Sequence, residues 1–169
     1  DGDPFIDLSK VDYQSRPRWL LEPFIEYGGA TILFARGGSG KSLFGLAIAV
    51  SIATGHSLVG GQVARAMPVL YHDWEADEYT HAERLAAICC GAGIAVPSLL
   101  YRRGIASLSE GAAGLRRAIA EYGIGFMVFD SIGMARGGDP NSAELTIKMF
   151  MAVRSLLIPT LGIDHITKS

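Results

Sequence analysis

The sequence predicts an α/β fold with a mainly parallel sheet and helices on both faces, and three observations carry that prediction. From Ala30 onward, short β-branched or apolar runs alternate with longer stretches of helical period. A glycine-rich loop stands between the first such run and the first helical stretch. A chain of 169 residues, 49% hydrophobic and 19% charged, is long enough to bury one core and too apolar to be disordered. The expected strands are Thr31–Ala35, Val69–Asp73, Leu99–Tyr101, Phe126–Asp130 and Thr160–Asp164. The expected helices run near 41–54, 77–91, 109–122 and 142–157, the third closed by Gly123 and the fourth by Pro159. Residues 1–29, rich in proline and charge around the apolar Trp19-Leu20-Leu21, read as a lead-in segment that packs onto a core spanning 30–169.

Composition excludes several classes of function. Fifteen Lys and Arg stand against seventeen Asp and Glu, for a net charge of -2, and no run of like charge occurs. That excludes a polybasic arm for nucleic acid or a membrane surface. The longest apolar stretch, Leu43 to Thr54, is short of the roughly 20 residues a membrane span requires, so it is expected to be a buried helix. The first residues are acidic and lead into no apolar signal core, and Cys89 and Cys90 are adjacent on a helix, where they cannot readily bridge. A cytoplasmic location is expected. The four histidines and two cysteines show no zinc-ligand spacing.

Ligands of a parallel sheet bind where its strands end, so the informative motifs are those that directly follow a strand. After Thr31–Ala35 comes Ala35-Arg36-Gly37-Gly38-Ser39-Gly40-Lys41-Ser42 and then an apolar helix. This is the phosphate-binding loop pattern, with Ala35 where glycine is more usual. A backbone that wraps a polyphosphate with its N–H groups takes conformations that glycine adopts most cheaply, and Gly37, Gly38 and Gly40 supply them. Ser39 completes the loop, Lys41 can reach the β and γ phosphates, Ser42 can ligate Mg²⁺, and the helix presents its positive end to the anion.

A nucleoside triphosphatase also needs an acid at the end of an apolar strand to hold the Mg²⁺ shell, and Asp130 after Gly125-Phe126-Met127-Val128-Phe129 provides it. The water-activating glutamate that follows this Asp in many such ATPases is replaced here by Ser131. The base must come from elsewhere. Val69-Leu70-Tyr71-His72-Asp73-Trp74-Glu75 places a carboxylate just past a strand that can lie beside the Asp130 strand, which makes Glu75 the candidate general base. Asp73, Asp77 and Glu78 are rivals; alternation argues against Asp73, and the other two suit the first turn of the next helix. His72 reads as a satisfied strand histidine. At the tip of the last strand, His165 can hydrogen-bond a γ phosphate, and Lys168 points either to the same site or to a neighbouring subunit.

With these elements in order, the chain resembles the RecA-like P-loop ATPases, most closely the RepA-type hexameric replicative helicases of plasmids and phages. The resemblance covers about residues 18 to 168. It rests on Trp19-Leu20, the Ala35-to-Ser42 loop, Leu70-Tyr71 leading to Glu75, Arg84 beside Leu85, Phe129-Asp130-Ser131, Arg136-Gly137-Gly138-Asp139 and the His165-to-Lys168 tail. It implies ATP hydrolysis between subunits of a ring, with ATP and Mg²⁺ as cofactors, nucleotide contacts extending to Leu43 and Arg84, and His165 as γ-phosphate sensor. The loop after Asp130 would face a central channel and single-stranded DNA. A His-His pair often stands in this family where Asp164-His165 stands here. RecA-like sheets continue beyond the sensor strand, so the resemblance also implies a core without its C-terminal strands, with Thr31–Ala35 at an exposed edge.

A second reading is a non-motor RecA-like ATPase that switches assembly or regulates a partner. It is compatible with a channel loop that offers mainly Arg136 and Met134. A small-molecule kinase would want a lid of several arginines, whereas Arg102-Arg103 read as the start of a solvated turn before Gly104.

Overall fold

A computed structural model describes residues 5–15, 17–139 and 141–165, so Lys168 lies outside the described residues. Five parallel strands form the central sheet: β3 (Ala30–Ala35), β5 (Val69–Asp73), β6 (Leu100–Arg103), β7 (Phe126–Asp130) and β8 (Thr160–His165), in the order β3-β8-β7-β5-β6. The predicted α/β class is therefore the observed one. β3 occupies one edge, and β8 lies between it and β7, so the tip of the last strand falls between the phosphate loop and Asp130.

Among the described residues, five α-helices accompany the sheet: α1 (Lys41–Thr54), α2 (Glu78–Ala92), α3 (Leu108–Tyr122), α4 (Ile132–Arg136) and α5 (Ala143–Ser155). Successive strand residues point to opposite faces, and two buried clusters follow that period. Val69, Tyr71, Phe126, Val128, Leu161 and Ile163 pack with Leu46, Ile48, Ala49 and Ile52 of α1. Leu70, Met127 and Phe129 pack with Leu108, Ala112 and Leu115 of α3 and with Met149, Ala152 and Val153 of α5. Each fully buried Leu, Ile, Val or Phe in such a cluster contributes roughly 1.5–3 kcal/mol relative to exposure.

Local sequence sets the helix ends. Asp77 caps α2 by accepting the Thr80 N–H, Ser107 and Glu110 form a reciprocal capping box on α3, and Ser142 caps α5. Gly55, Gly93 and Gly123 end α1, α2 and α3 in the left-handed conformation. Of the four long helices, α1 is the one whose N-cap, Gly40, brings no side chain to the first-turn N–H groups. Those donors are left for an anion.

Three parts of the chain depart from the sequence reading, the first being Arg102-Arg103, which were expected to open a turn and instead close β6 in register with His72 and Asp73. Within the segment read as a lead-in, β1 (Trp19–Glu22) and β2 (Ile25–Glu26) pair antiparallel, and β1 also pairs with β4 (Gln62–Val63) in a second, three-stranded sheet. Leu20, Leu21 and Ile25 are buried in the α1-side cluster. Strands of two to four residues around Pro23 are too short to show alternation, which is why they escaped notice. The stretch after Ser131, read as a loop, forms the short α4 before Gly137 reverses the chain.

Gly61 closes the small sheet at a φ of +77, and a Cβ there would lie 1.6 Å from the Glu22 carbonyl oxygen. Gly61→Ala therefore separates β4 from β1 or strains both. It is expected to cost about 2–4 kcal/mol, read as a lowered midpoint in a circular-dichroism thermal melt.

Candidate functional site

Parallel strands of similar length end together, and the carboxyl ends of β3, β8, β7 and β5 carry the phosphate loop, His165, Asp130 and the turn to Glu75, while Lys41, Ser42 and Leu43 lie on α1 and Arg84 on α2. Ala35 pairs with His165, Asp130 with Ile163, and Asp73 with Asp130. Between β3 and α1 the loop runs through Gly38 and Gly40 at φ of +74 and +84. A Cβ at Gly37, Gly38 or Gly40 would meet nothing within 4 Å, so it is backbone conformation at Gly38 and Gly40 that demands glycine. Gly38, Ser39, Gly40, Lys41, Ser42, Leu43, Arg84 and His165 line one cleft of 250 Å³. The structure thus gathers the phosphate loop, Leu43, Arg84 of α2 and His165 of β8 around a single space.

Lys41 is buried, and its ammonium donates to the Ala35 and Arg36 carbonyls at 3.0 and 2.8 Å. An ammonium has three donors, so one more can be offered to a phosphate. Asp130 is 3% exposed and lies behind the loop. Burial pushes its carboxyl above the usual range; hydrogen bonds from Ser42 and Tyr71 pull the other way, and the charges of Asp73 and Glu75 push it up further. The Tyr71 hydroxyl donates to Oδ2 at 3.1 Å, while Oδ1 is buried with no hydrogen-bond partner among the described residues. A carboxylate oxygen left unpaired in that position, next to the Ser42 hydroxyl, suits a hard divalent cation that takes oxygen ligands. Asp130 and Ser42 are the residues that would hold it.

Glu75 lies just past β5, where the backbone turns away from the sheet. The Trp74 N–H donates to the Asp130 carbonyl at 2.8 Å, fastening the turn to β7. Glu75 accepts a short hydrogen bond of 2.5 Å from the Ser131 hydroxyl on Oε1, and its Oε2 stands 3.5 Å from Nε2 of His165. Both of those side chains are partly exposed, at 44% and 42%. The structure therefore brings the candidate base beside the candidate sensor, and His165 itself lines the cleft.

Two of the three rival acids are engaged elsewhere. Asp73 is buried and accepts the N–H groups of Glu75 and Ala76 at 2.8 and 2.9 Å, together with His81. Asp77 serves as the α2 cap, and the Thr80 hydrogen bonds hold its carboxyl below the usual range. Glu78 opens the first turn of α2. His72 donates from Nδ1 to the Arg102 carbonyl at 3.1 Å, and burial lowers its imidazole to about 4, so it is neutral near pH 7. Sequence reasoning gave no role to Tyr71, Ser131 or His81. The signal for Ser131 was its place between Asp130 and the loop, and for Tyr71 its place two residues before Asp73; nothing local marked His81.

A glycine loop opening an uncapped helix beside a strand-end aspartate, on a sheet of this order, defines the class as a P-loop NTPase of the RecA/AAA type. A family model described as AAA domain matches residues 4–168, and the chain belongs to that family of P-loop ATPases. A search of curated proteins returned no match. Among the described residues, no helix is long and apolar enough to cross a membrane.

A buried carboxylate with a raised pKa opposes folding when it ionises: its contribution is most favourable at low pH and is lost as pH rises through the raised value. Asp130→Asn removes that charge and keeps an oxygen acceptor for Tyr71. In the absence of nucleotide and metal, the variant is expected to melt at a higher temperature than the parent at pH 7, with the difference shrinking at pH 4, while metal-dependent turnover is lost.

Proposed function

We propose that this chain hydrolyses Mg²⁺-bound ATP with Glu75 as general base, as the motor domain of a hexameric DNA helicase acting in plasmid or phage replication. The observation that carries the catalytic part is the Glu75 carboxylate set 3.5 Å from His165, which lines the Lys41 cleft. A base is recognised by its reach to the attacking water and by the group that orients it, and the Ser131 hydroxyl is a group that orients Glu75.

In this reading the N–H groups of Gly38 to Ser42 and the α1 N-terminus hold the β and γ phosphates, and Lys41 adds the third ammonium donor. When bound to Ser42 and Asp130, Mg²⁺ neutralises phosphate charge. Glu75 takes a proton from the attacking water onto its carboxylate, which the Ser131 hydroxyl holds in place. His165 donates to the γ phosphate and, through Glu75, reports whether that phosphate is present. Leu43 and Arg84 complete the nucleotide contacts from the walls of the cleft. Lys168 and a neighbouring subunit would supply the charge that this half of the site lacks.

Ring assembly and single-stranded DNA enter through the resemblance to RepA-type helicases, with Met134 and Arg136 after β7 as the channel residues. One observation favours the second reading, a RecA-like ATPase that switches assembly or regulates a partner. Arg136 is partly buried, with Nη1 3.5 Å from the Thr146 hydroxyl and Nε buried, which leaves little of its guanidinium for a phosphate backbone.

ATP turnover with Mg²⁺, measured with and without single-stranded DNA, separates the two. A rate raised by DNA and abolished in Lys41→Ala is expected of the motor; a slow rate indifferent to DNA transfers the proposal to the assembly switch. Glu75→Gln is expected to bind ATP normally and hydrolyse it about 10²- to 10⁴-fold more slowly. A near-parental rate would overturn the base assignment.

A further inference from the structure

Below the Glu75 turn lies a buried polar pair that the catalytic reading does not use. Nε2 of His81, on the first turns of α2, is 2.6 Å from Oδ2 of Asp73, and the two side chains are 7% and 1% exposed. A carboxylate only accepts, so the imidazole donates from Nε2. Nδ1 is buried with no hydrogen-bond partner among the described residues. The imidazole ring packs 4.5 Å from the Tyr71 ring and 5.4 Å from the Tyr101 ring, which fixes its plane.

What Asp73 does with its remaining capacity decides the consequence. Oδ1 accepts the Glu75 N–H and Oδ2 accepts the Ala76 N–H, so both backbone donors of the turn are bound to a carboxylate whose own orientation is set by His81. The Tyr101 hydroxyl donates to the Ala76 carbonyl at 2.9 Å, and the Trp74 N–H to Asp130. Without the His81 donor, the Asp73 carboxylate is held by the two N–H groups of the turn alone, so carboxylate and turn can shift together. Displacing a reacting group by about 1 Å costs on the order of 10²-fold in rate.

We propose that His81 is a positioning residue for hydrolysis: it locks the Asp73 carboxylate, which in turn aims Glu75 at the attacking water. The inference rests on the reading of Glu75 as general base. It assigns His81 an effect on kcat that passes through Glu75, with no part in holding nucleotide.

The test uses the chain with Mg²⁺ and four variants: His81→Leu, which removes the donor; His81→Gln, whose amide reaches the Nε2 position; His81→Asn, which falls short of it; and Glu75→Gln. His81→Leu is expected to lower kcat about 10- to 100-fold with KM and ADP affinity within threefold of the parent, and His81→Gln to recover most of the rate. Adding His81→Leu to Glu75→Gln is expected to cost nothing further, because the route runs through one carboxylate. If His81→Leu does not fold, as judged by lost ADP binding, the comparison of His81→Gln with His81→Asn decides, with the former expected at least fivefold faster. A parental kcat in a folded His81→Leu, equal rates in the Gln and Asn variants, or an additive loss in the double variant would each overturn the proposal. A near-parental rate in Glu75→Gln would overturn the base reading instead, and that outcome is read from the single variant alone.

Discussion

Parallel pairing imposes the constraint on which the site depends. In a parallel sheet every strand delivers its carboxyl end to the same edge, and residues paired across the ladder arrive at the same level. β5, β7 and β8 run in register so that Asp73 is opposite Asp130 and Asp130 is opposite Ile163, two residues before His165. The turn that carries Glu75 after one strand, Asp130 at the end of the next and His165 at the tip of the third then meet the loop that follows β3. The ordering β3-β8-β7-β5 is what brings His165 between the loop and Asp130.

Close packing carries α1 to the position from which its N-terminus faces that edge. A Cβ at Gly45 would stand 2.6 Å from Cδ1 of Ile163, so the helix sits against β8 at a separation that only glycine tolerates without movement of Ile163. Gly162 makes the same allowance for Phe129 on the opposite face, where a Cβ would be 2.6 Å from the ring. The site built on this scaffold holds groups that burial does not favour. Lys41 is buried against loop carbonyls, and Asp130 is buried with one oxygen unpaired. Such groups oppose folding and are kept where binding uses them.

Most of the sheet was legible because β5 and β7 are short runs of apolar and aromatic residues, broken in β5 only by His72, and both end in aspartate. The loop was legible for a different reason, since its glycines and lysine are dictated by the anion rather than by packing. The adjacency of Glu75 and His165 was not: it depends on strand order, and sequence alone left Asp73, Asp77 and Glu78 open beside Glu75. The contacts that separate them are two N–H groups on Asp73 and the Thr80 N–H on Asp77. β1, β2 and β4 were missed because their pairing is made between distant segments of two to four residues, and α4 because five residues with a glycine carry no readable period. His81 lay beyond sequence reasoning altogether, since its partner is eight residues away at the end of a strand.

The most direct measurement is a crystal structure of the chain with Mg²⁺ and a non-hydrolysable ATP analogue. The Lys41 ammonium is expected to offer its remaining donor to the β and γ phosphates, with Ser42 and Asp130 around the metal and the Glu75 carboxylate one water from the γ phosphorus beside His165 on a γ oxygen. A triphosphate bound away from Lys41, or Asp77 or Glu78 facing the γ phosphate in place of Glu75, would contradict the assignment.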